Sequence, residues 1–214
     1  MNIADIRREY TLGGLRRTDL DANPIAQFQK WFGQATKVLA QKEIDVNAAT
    51  LATADKNGKP SARIILFKGL DERGFVFFTN YKSRKGRDLA ENPNASLVFY
   101  WQQLERQVCV AGTVGKTSRE ESENYFKSRP RGSQLAAWAS NQSDVVPDRA
   151  ALVAKWNEME KKFPNEVLLP PNWGGYVLKP ERLEFWQGRA SRLHDRFCYT
   201  RQKNDSWKLE RLAP

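Results

Sequence analysis

The feature that most constrains this chain is a series of short apolar runs separated by tight-turn residues. Residues 48–54 and 62–70 flank an Asn57-Gly58 pair, and a second turn at residues 71–74 leads directly into the next apolar run. An Asn-Gly pair between two such runs is a strong signal for a β-hairpin. Because consecutive hairpins join antiparallel neighbours, these residues predict an antiparallel sheet.

Helical signals are fewer than strand signals along the rest of the chain. Asn23-Pro24 predicts a capped helix start, Ser118 with Glu121 forms a capping-box pattern, and Ser133 can cap a third helix. Apolar residues at helical spacing predict a fourth helix from about residue 148. The other apolar runs predict strands at residues 75–78, 95–101, 106–115, 175–178, 182–187, 193–201 and 206–211. Together these segments predict a mainly β fold, a closed antiparallel barrel that carries peripheral helices.

Size and composition set the class of protein. A chain of 214 residues with 40% apolar content can bury a core without disulfides. Cys109 and Cys198 have neither the spacing of a redox pair nor that of a metal site, so a reducing compartment and no metal are expected. The sequence has no run long enough to cross a membrane and no signal peptide, which predicts a cytoplasmic protein.

The net charge of +10 has two possible explanations, a surface for nucleic acid or separate pockets for small anions. Lysine and arginine occur in four short clusters rather than in one tail or stripe. The clusters lie at residues 7–17, 82–87, 127–131 and 189–196. Separate clusters favour pockets for small anions.

The strongest local signal is the segment 184–196, which contains the only histidine of the chain. If this segment were a regular strand, Arg192, His194 and Arg196 would project from one face. One interpretation is a solvated outer face. The other is a site in which arginine and histidine hold an anionic, aromatic ligand beside Trp186.

Two further clusters have the composition of phosphate sites. In the first cluster, Ser83 predicts a capped helical turn that carries Arg84 and Lys85. The second cluster combines a phenol, guanidinium groups and a hydroxyl near a helix start, at Tyr125, Arg129, Arg131 and Ser133. Solvated charge is the alternative for each cluster. Arg63 and Lys68 would lie on opposite faces of a regular strand, so either they serve different ligands or the strand bulges. Neither a P-loop nor a GxGxxG motif is present.

Taken in order, these motifs resemble the pyridoxamine 5′-phosphate oxidase family. The resemblance runs from Arg7-Arg8-Glu9-Tyr10 to the C-terminal Arg211-Leu212-Ala213-Pro214, and its most specific block is Trp186-Gln187 to Arg192-Leu193-His194-Asp195-Arg196. It implies a split-barrel fold and a homodimer with FMN at the subunit interface. It also implies oxidation of pyridoxamine or pyridoxine 5′-phosphate by O₂ to pyridoxal 5′-phosphate, with hydrogen peroxide as the second product and ammonia released from the amine.

The resemblance also assigns roles to individual residues. Arg192 and His194 would be the catalytic pair that positions the substrate. The implied FMN contacts are Arg63, Ile64, Ile65, Leu66, Phe67, Lys68, Phe78, Thr79, Arg84, Lys85, Gln107, Gln142, Ser143, Trp186 and Arg196. The implied substrate contacts are Arg7, Arg8, Glu9, Tyr10, Lys68, Tyr125, Arg129, Ser133, Arg192, Leu193 and His194.

The same resemblance predicts the domain organisation. Residues 1–20 are expected to be a mobile segment that could act as a lid, and residues 21–214 a single FMN-binding domain. One position departs from the family pattern, because Arg189 stands where a second glycine often follows Gly188. Two alternatives remain at this point, a non-catalytic flavin-binding split barrel and a basic barrel that binds nucleic acid. No nucleic acid and no membrane partner are expected for an oxidase.

Overall fold

The structure is a computed structural model that describes residues 2–6, 8–40, 42 and 44–214. Two compact units divide the described chain: the first comprises residues up to 51 with 96–112 and 180–214, and the second comprises 52–95 and 113–179. The strands are β1 (Ala48–Ala54), β2 (Pro60–Asp71), β3 (Gly74–Asn80), β4 (Asn94–Trp101), β5 (Arg106–Lys116), β6 (Trp173–Gln187), β7 (Asp195–Arg201) and β8 (Trp207–Leu212). The α-helices are α1 (Pro24–Leu39), α2 (Arg84–Glu91), α3 (Arg119–Ser128), α4 (Arg131–Ala139) and α5 (Arg149–Lys162).

The strands form one sheet in the order β3-β2-β1-β4-β5-β6-β7-β8. An additional pairing of β3 with β6 closes six of the strands into an antiparallel barrel. This closure removes the exposed sheet edges that β3 and β6 would otherwise present. The predicted mainly β fold with peripheral helices is therefore confirmed.

In the first unit, α1 buries one apolar face against aromatic residues of the strands. Asn23 caps this helix by accepting a hydrogen bond from the Ile25 N–H, as its position before Pro24 predicts. The buried Trp31 meets Phe185 edge to face at 5.3 Å between ring centroids, and Phe185 meets Tyr199 at 5.6 Å. Each such pair contributes about 0.5–1.5 kcal/mol beyond burial.

In the second unit, three helices pack around a separate aromatic and aliphatic cluster. Ser118 caps α3 by accepting from the Glu121 N–H, and Asp148 caps α5 by accepting from the Ala151 N–H. The buried cluster consists of Phe126, Leu135, Phe163, Val167, Leu169 and Trp173. This cluster holds α3 and α4, which carry the predicted second phosphate cluster.

Ser83 caps α2 by accepting from the Gly86 N–H, as predicted. Three predicted elements differ from the structure. Ser133 was expected to cap a helix, but α4 begins at Arg131 after Pro130, so Ser133 lies inside it. The two strands predicted at 175–178 and 182–187 are one strand, β6, with Pro180 between the residues that pair with β3 and those that pair with β7. The strand predicted from Leu193 begins at Asp195, because residues 190–192 form a short 3₁₀ turn.

None of the helices in the described ranges has the length and hydropathy that crossing a membrane requires. Within the same ranges, no three His, Cys, Asp or Glu side chains lie close enough together to hold a metal ion.

Candidate functional site

A cleft with a volume of about 560 Å³ lies in the second unit. Strands β2 and β3 and helices α2, α3 and α4 contribute its walls, so regular elements position most of its side chains. It is lined by Ile64, Ile65, Leu66, Lys68, Phe78, Thr79, Asn80, Lys85, Tyr125, Arg129, Pro130, Ser133, Ala136, Ala137, Ser140, Gln142 and Trp173. The cleft therefore brings together eleven of the residues predicted to contact FMN or substrate.

Arg129 is the cation at the helical end of this cleft. Its Nη1 atom is buried and has no hydrogen-bond partner among the described residues. Burial lowers the pKa of Arg129, although a guanidinium remains protonated at any ordinary pH. Ser133 lies in the first turn of α4, whose start at Arg131 adds main-chain N–H groups. A buried guanidinium N–H without a partner, beside a hydroxyl and a helix start, has the composition of an anion site.

Trp173 packs against Arg129, although the sequence alone did not single out this tryptophan. The Arg129 guanidinium lies 4.7 Å from the centroid of the buried Trp173 ring, a cation–π contact. Tyr125 and Phe78 stack at 3.9 Å, and both rings are nearly parallel to the Trp173 ring. The signal in the sequence was a tryptophan directly before two glycines, which reads equally well as the start of an ordinary strand.

Lys85 is the second buried cation of the cleft, at 8% exposure. Its Nζ donates to Thr79 Oγ1 at 3.2 Å and to Gln142 Oε1 at 3.0 Å. No acidic side chain in the described part of the chain forms an ion pair with it. Burial, together with the charge of Arg63, lowers the pKa of Lys85 to about 8. A buried ammonium that lacks a carboxylate partner is costly unless an anion binds beside it.

Arg63 and Lys68 lie on β2 at either side of a short apolar run. The Arg63 guanidinium donates to Thr53 Oγ1 at 2.8 Å and lies 3.8 Å from Asp88 Oδ2. The pairing of β2 with β3 is irregular between Phe67 and Gly69, so the strand bulges at Lys68. The bulge that the sequence offered as one of two alternatives is therefore observed.

The remaining predicted residues of the second unit lie at the edge of this region. Phe67 is a core residue whose ring packs near the ring of Phe75. Because its side chain is buried in the core, only the main chain of Phe67 is left to contact a ligand. Arg84 is exposed, and its N–H donates to Ser143 Oγ at 3.2 Å. Gln142 contacts both Lys85 and Thr79, so this part of the cleft is a connected polar network.

The signature segment forms the second region, which belongs to the first unit. Trp186 is the next-to-last residue of β6, and its ring lies 4.8 Å from His194 between centroids. Ser191 and Arg192 both have left-handed backbone conformations, with φ of 55° and 59°. Arg192, His194 and Arg196 therefore do not share a strand face, and the predicted face is wrong. Such conformations in residues other than glycine cost about 1–3 kcal/mol each and cluster at functional sites.

The N-terminal segment docks onto this turn through the polar groups of three residues. The Leu12 N–H donates to the buried Glu105 carboxylate at 3.0 Å, and the Leu15 N–H donates to Asp195 Oδ2 at 2.9 Å. In the opposite direction, the Ser191 N–H donates to the Glu9 carboxylate at 3.3 Å. Arg8 lies 3.6 Å from Glu105, whereas the predicted contact Arg7 lies outside the described residues.

Tyr10 brings the docked segment onto the signature. Its ring meets Trp186 at 5.4 Å and His194 at 5.6 Å, both edge to face. A Cβ at Gly188 would lie 2.7 Å from Tyr10 Cγ, so only glycine leaves room for this ring. Tyr10, Trp186 and His194 are therefore one aromatic group.

The other predicted residues of the first unit make contacts within the protein. Arg196 Nε donates to Glu184 at 2.8 Å, and its Nη1 donates to the Ala213 carbonyl at 2.9 Å. Gln107 Nε2 donates to Cys109 Sγ at 3.3 Å, and burial raises the pKa of that thiol to about 11. Leu193 is exposed.

Burial alone would raise the pKa of Asp195, but the hydrogen bond from the Leu15 N–H and the charge of Arg211 bring that pKa below its usual value.

Comparison with known proteins gives consistent results along the whole chain. The family described as pyridoxamine 5′-phosphate oxidase matches residues 36–163, and the pyridoxine 5′-phosphate oxidase C-terminal dimerisation region matches residues 173–214. The pyridoxine/pyridoxamine 5′-phosphate oxidase of Paraburkholderia phymatum is 56% identical over 212 residues, 99% of each chain. That of Nostoc punctiforme is 54% identical over 213 residues, 99% of this chain and 98% of the relative.

A solved structure is similar over nearly the same length. PhzG from Burkholderia lata 383, crystallised with tetrahydrophenazine-1-carboxylic acid, superposes with a TM-score of 0.85 at 34% identity. The match covers 92% of this chain and 95% of PhzG. The similarity to the sequence relatives and to this solved structure thus extends over almost the whole chain.

Proposed function

Because the chain belongs to the pyridoxamine 5′-phosphate oxidase family, we propose that it oxidises pyridoxamine and pyridoxine 5′-phosphate to pyridoxal 5′-phosphate. Pyridoxine 5′-phosphate and O₂ would give the aldehyde and hydrogen peroxide. Pyridoxamine 5′-phosphate, O₂ and water would give the aldehyde, ammonia and hydrogen peroxide.

The buried Arg129 Nη1 without a hydrogen-bond partner carries this proposal. Lys68, Tyr125 and Ser133 line the same cleft, so a phosphate monoester there would receive hydrogen bonds from a guanidinium, an ammonium and two hydroxyls. Charge-assisted hydrogen bonds of this kind are the strongest available to a phosphate. We assign the substrate phosphate to these four residues.

The residues around Lys85 fit the second phosphate, that of FMN. The fit rests on a buried ammonium that has two neutral acceptors and no carboxylate among the described residues. The contacts to this phosphate would be completed by Arg63, Thr79, Arg84, Gln142 and Ser143. The further residues predicted to contact FMN are Ile64, Ile65, Leu66, Phe78, Gln107, Trp186 and Arg196. When bound, FMN supplies the two-electron redox chemistry and the path to O₂ that no amino-acid side chain provides.

Arg192 and His194 are proposed to position the substrate ring. A guanidinium offers a planar surface and a fork of donors, and an imidazole offers one directed hydrogen bond. We propose that residues 1–20 act as a lid on these groups. The contacts of Tyr10 with Trp186 and His194 support this role, and excluding water would strengthen the electrostatic contacts within the site.

We further propose that the protein is a homodimer. Residues 173–214 match a region described as a dimerisation region. On β2, Ile64 and Leu66 are exposed although both are large and apolar. Apolar side chains exposed on a barrel strand are typical of surfaces that a second chain covers.

The test combines a spectrum with a product assay. We expect the purified protein to be yellow, or to take up one FMN per chain in a titration that follows the flavin absorption bands. With pyridoxine 5′-phosphate, pyridoxal 5′-phosphate and hydrogen peroxide should appear in equal amounts. Dephosphorylated pyridoxine is the matched control and should react poorly, because the Arg129 cluster would have no ligand.

Each alternative gives a different result. A non-catalytic flavin-binding protein would bind FMN and form no aldehyde with either substrate. A nucleic-acid-binding barrel would ignore FMN and bind oligonucleotides with an affinity that falls steeply with salt. A protein with a substrate like the PhzG ligand would oxidise a tricyclic carboxylic acid in preference to a phosphate ester.

A further inference from the structure

We propose that the main-chain N–H of Arg189 is a positioning group that fixes His194 in one tautomer, with the ring hydrogen on Nε2. The inference rests on the proposed function only for its consequence on substrate binding. The tautomer itself is a property of the protein and can be measured without substrate.

The hydrogen bond determines the tautomer. The Arg189 nitrogen lies 3.1 Å from His194 Nδ1. A main-chain N–H can only donate, so Nδ1 must accept and cannot carry a hydrogen in the neutral ring. The hydrogen of a neutral imidazole therefore lies on Nε2, which makes that atom a donor.

The backbone of the turn brings the two groups together. The left-handed conformations of Ser191 and Arg192 reverse the chain, and the Leu193 N–H closes the turn by donating to the Ala190 carbonyl at 3.2 Å. As a result, residue 194 returns to the main chain of residue 189. The contact does not involve the Arg189 side chain, whose Nε lies 3.8 Å from Asp195 Oδ2.

Two aromatic rings restrict the orientation of the imidazole. Trp186 lies at 4.8 Å and Tyr10 at 5.6 Å between ring centroids. A rotation of the ring by 180° about its Cβ–Cγ bond would direct a carbon rather than Nδ1 toward the Arg189 N–H, with the loss of that hydrogen bond. The rings and the N–H therefore favour one orientation and one tautomer together.

The consequence for the proposed function is a requirement on the substrate. A donor at Nε2 binds a ligand atom that accepts, such as the ring oxygen of a 3-hydroxypyridine in its deprotonated form. It gives no favourable contact to a ring that lacks this oxygen. Within the proposed function, the fixed tautomer therefore makes His194 a hydrogen-bond donor to the substrate through Nε2.

Nitrogen-15 NMR of the protein labelled at both histidine and arginine tests the tautomer. The chain has only one histidine, so the ring signals need no assignment by mutation. At about pH 8.5, where imidazoles are normally neutral, we expect the shift of an unprotonated nitrogen at Nδ1 and of a protonated nitrogen at Nε2. A scalar coupling across the hydrogen bond should join Nδ1 to the Arg189 amide nitrogen.

Variants separate the main chain of Arg189 from its side chain. Arg189→Ala keeps the N–H, so the tautomer should be unchanged. His194→Gln can place an amide donor near the position of Nε2, whereas His194→Asn places it near Nδ1. The probes are 4-deoxypyridoxine 5′-phosphate, which cannot be oxidised at the 4 position in the same way, and its analogue without the 3-hydroxyl group.

We expect His194→Asn to weaken binding of the hydroxylated probe by about five- to ten-fold, the usual effect of one lost hydrogen bond. His194→Gln should restore part of this loss, and neither variant should change binding of the analogue. A protonated Nδ1 in the wild-type protein, or a tautomer that changes in Arg189→Ala, would overturn the inference. If neither probe binds wild-type protein, the proposed function fails, and the NMR spectrum still decides the tautomer.

Discussion

The cleft of the second unit and the turn of the first hold their cations in different ways. In the cleft, Lys85 on α2 is buried, as is part of Arg129 directly after α3, and neither has an acidic partner among the described residues. In the turn, Arg189 and Arg192 are exposed on irregular backbone. A buried cation is desolvated before any ligand arrives, so it binds an anion strongly. An exposed cation depends on the local hydrogen bonds that orient it.

The largest effect that this comparison predicts is at Arg129. Arg129→Ala should raise the substrate KM by about ten- to a hundred-fold, because a charge-assisted hydrogen bond is lost. FMN affinity should change little. Lys127→Ala is the matched control, since this exposed lysine on the same helix pairs with Glu123 outside the cleft. Steady-state kinetics and FMN titration of both variants measure the effect, and loss of FMN from Arg129→Ala would reverse our assignment of the two clusters.

The second prediction concerns Lys85 and pH. Lys85→Met should weaken FMN binding by about ten-fold or more, for the same reason. In the wild-type protein, FMN affinity should fall as the pH rises above about 8, because the free protein then loses the Lys85 charge. The slope should approach ten-fold per pH unit, the limit for one proton. Fluorescence titration of FMN between about pH 7 and 9.5 tests this.

The stability of the FMN-free protein should change with the opposite sign. The pKa of Lys85 is about 8 in the folded chain and near its ordinary value of 10.5 in the unfolded chain. Between these values the unfolded state binds more protons, so the contribution of Lys85 to the free energy of unfolding rises with pH. Lys85→Met should lack both trends. Equal pH dependence in the two proteins would contradict the burial argument.

In the turn, the effect should be on the chemical step. Arg192→Lys keeps the charge but removes the planar fork, and we expect flavin reduction to slow by about ten-fold or more, because small misplacements of a substrate are costly. Single-turnover reduction at saturating substrate without oxygen isolates this step. If the rate is unchanged and only KM rises, Arg192 is a binding group and the two regions differ less than we propose.

The smallest expected effect is on the docking of the N-terminal segment. Glu105→Gln keeps an acceptor for the Leu12 N–H but removes the charge opposite Arg8. Hydrogen exchange of the Leu12 amide should become several-fold faster, since the charge-assisted bond becomes a neutral one. The Leu15 amide, which donates to Asp195, is the internal control and should be unaffected. Equal acceleration at both amides would mean that the segment undocks as a whole.

Local sequence signals predicted the regular helices and strands better than the turn. The Asn57-Gly58 pair, the cap at Ser118 and the cap at Asn23 are short-range patterns, and each formed the expected element. Ser83 was expected to cap one helical turn, but the full length of α2 comes from residues that pack behind it. Pro180 suggested a break that the barrel overrides, because it falls between two sets of paired residues.

The turn was harder to predict because its geometry depends on distant residues. Nothing in the sequence distinguishes Ser191 and Arg192 as left-handed, since neither is glycine or asparagine. The hydrogen bond from Leu12 to Glu105 joins residues 93 positions apart, a distance at which sequence patterns carry no signal. Family resemblance identified the residues of this turn, but it could not give the contacts that orient them.

The close approach of Tyr10 to Gly188 also restricts which mutations the chain can accept. A Cβ at residue 188 would meet Cβ and Cγ of Tyr10, atoms near the main chain that cannot swing away. At Gly14 the nearest atom is instead the flexible end of Arg189, which can move aside. Residues 10 and 188 should therefore show epistasis: a larger residue at 188 becomes acceptable only when the whole side chain at 10 is removed, as in Tyr10→Gly, whereas residue 14 can change independently.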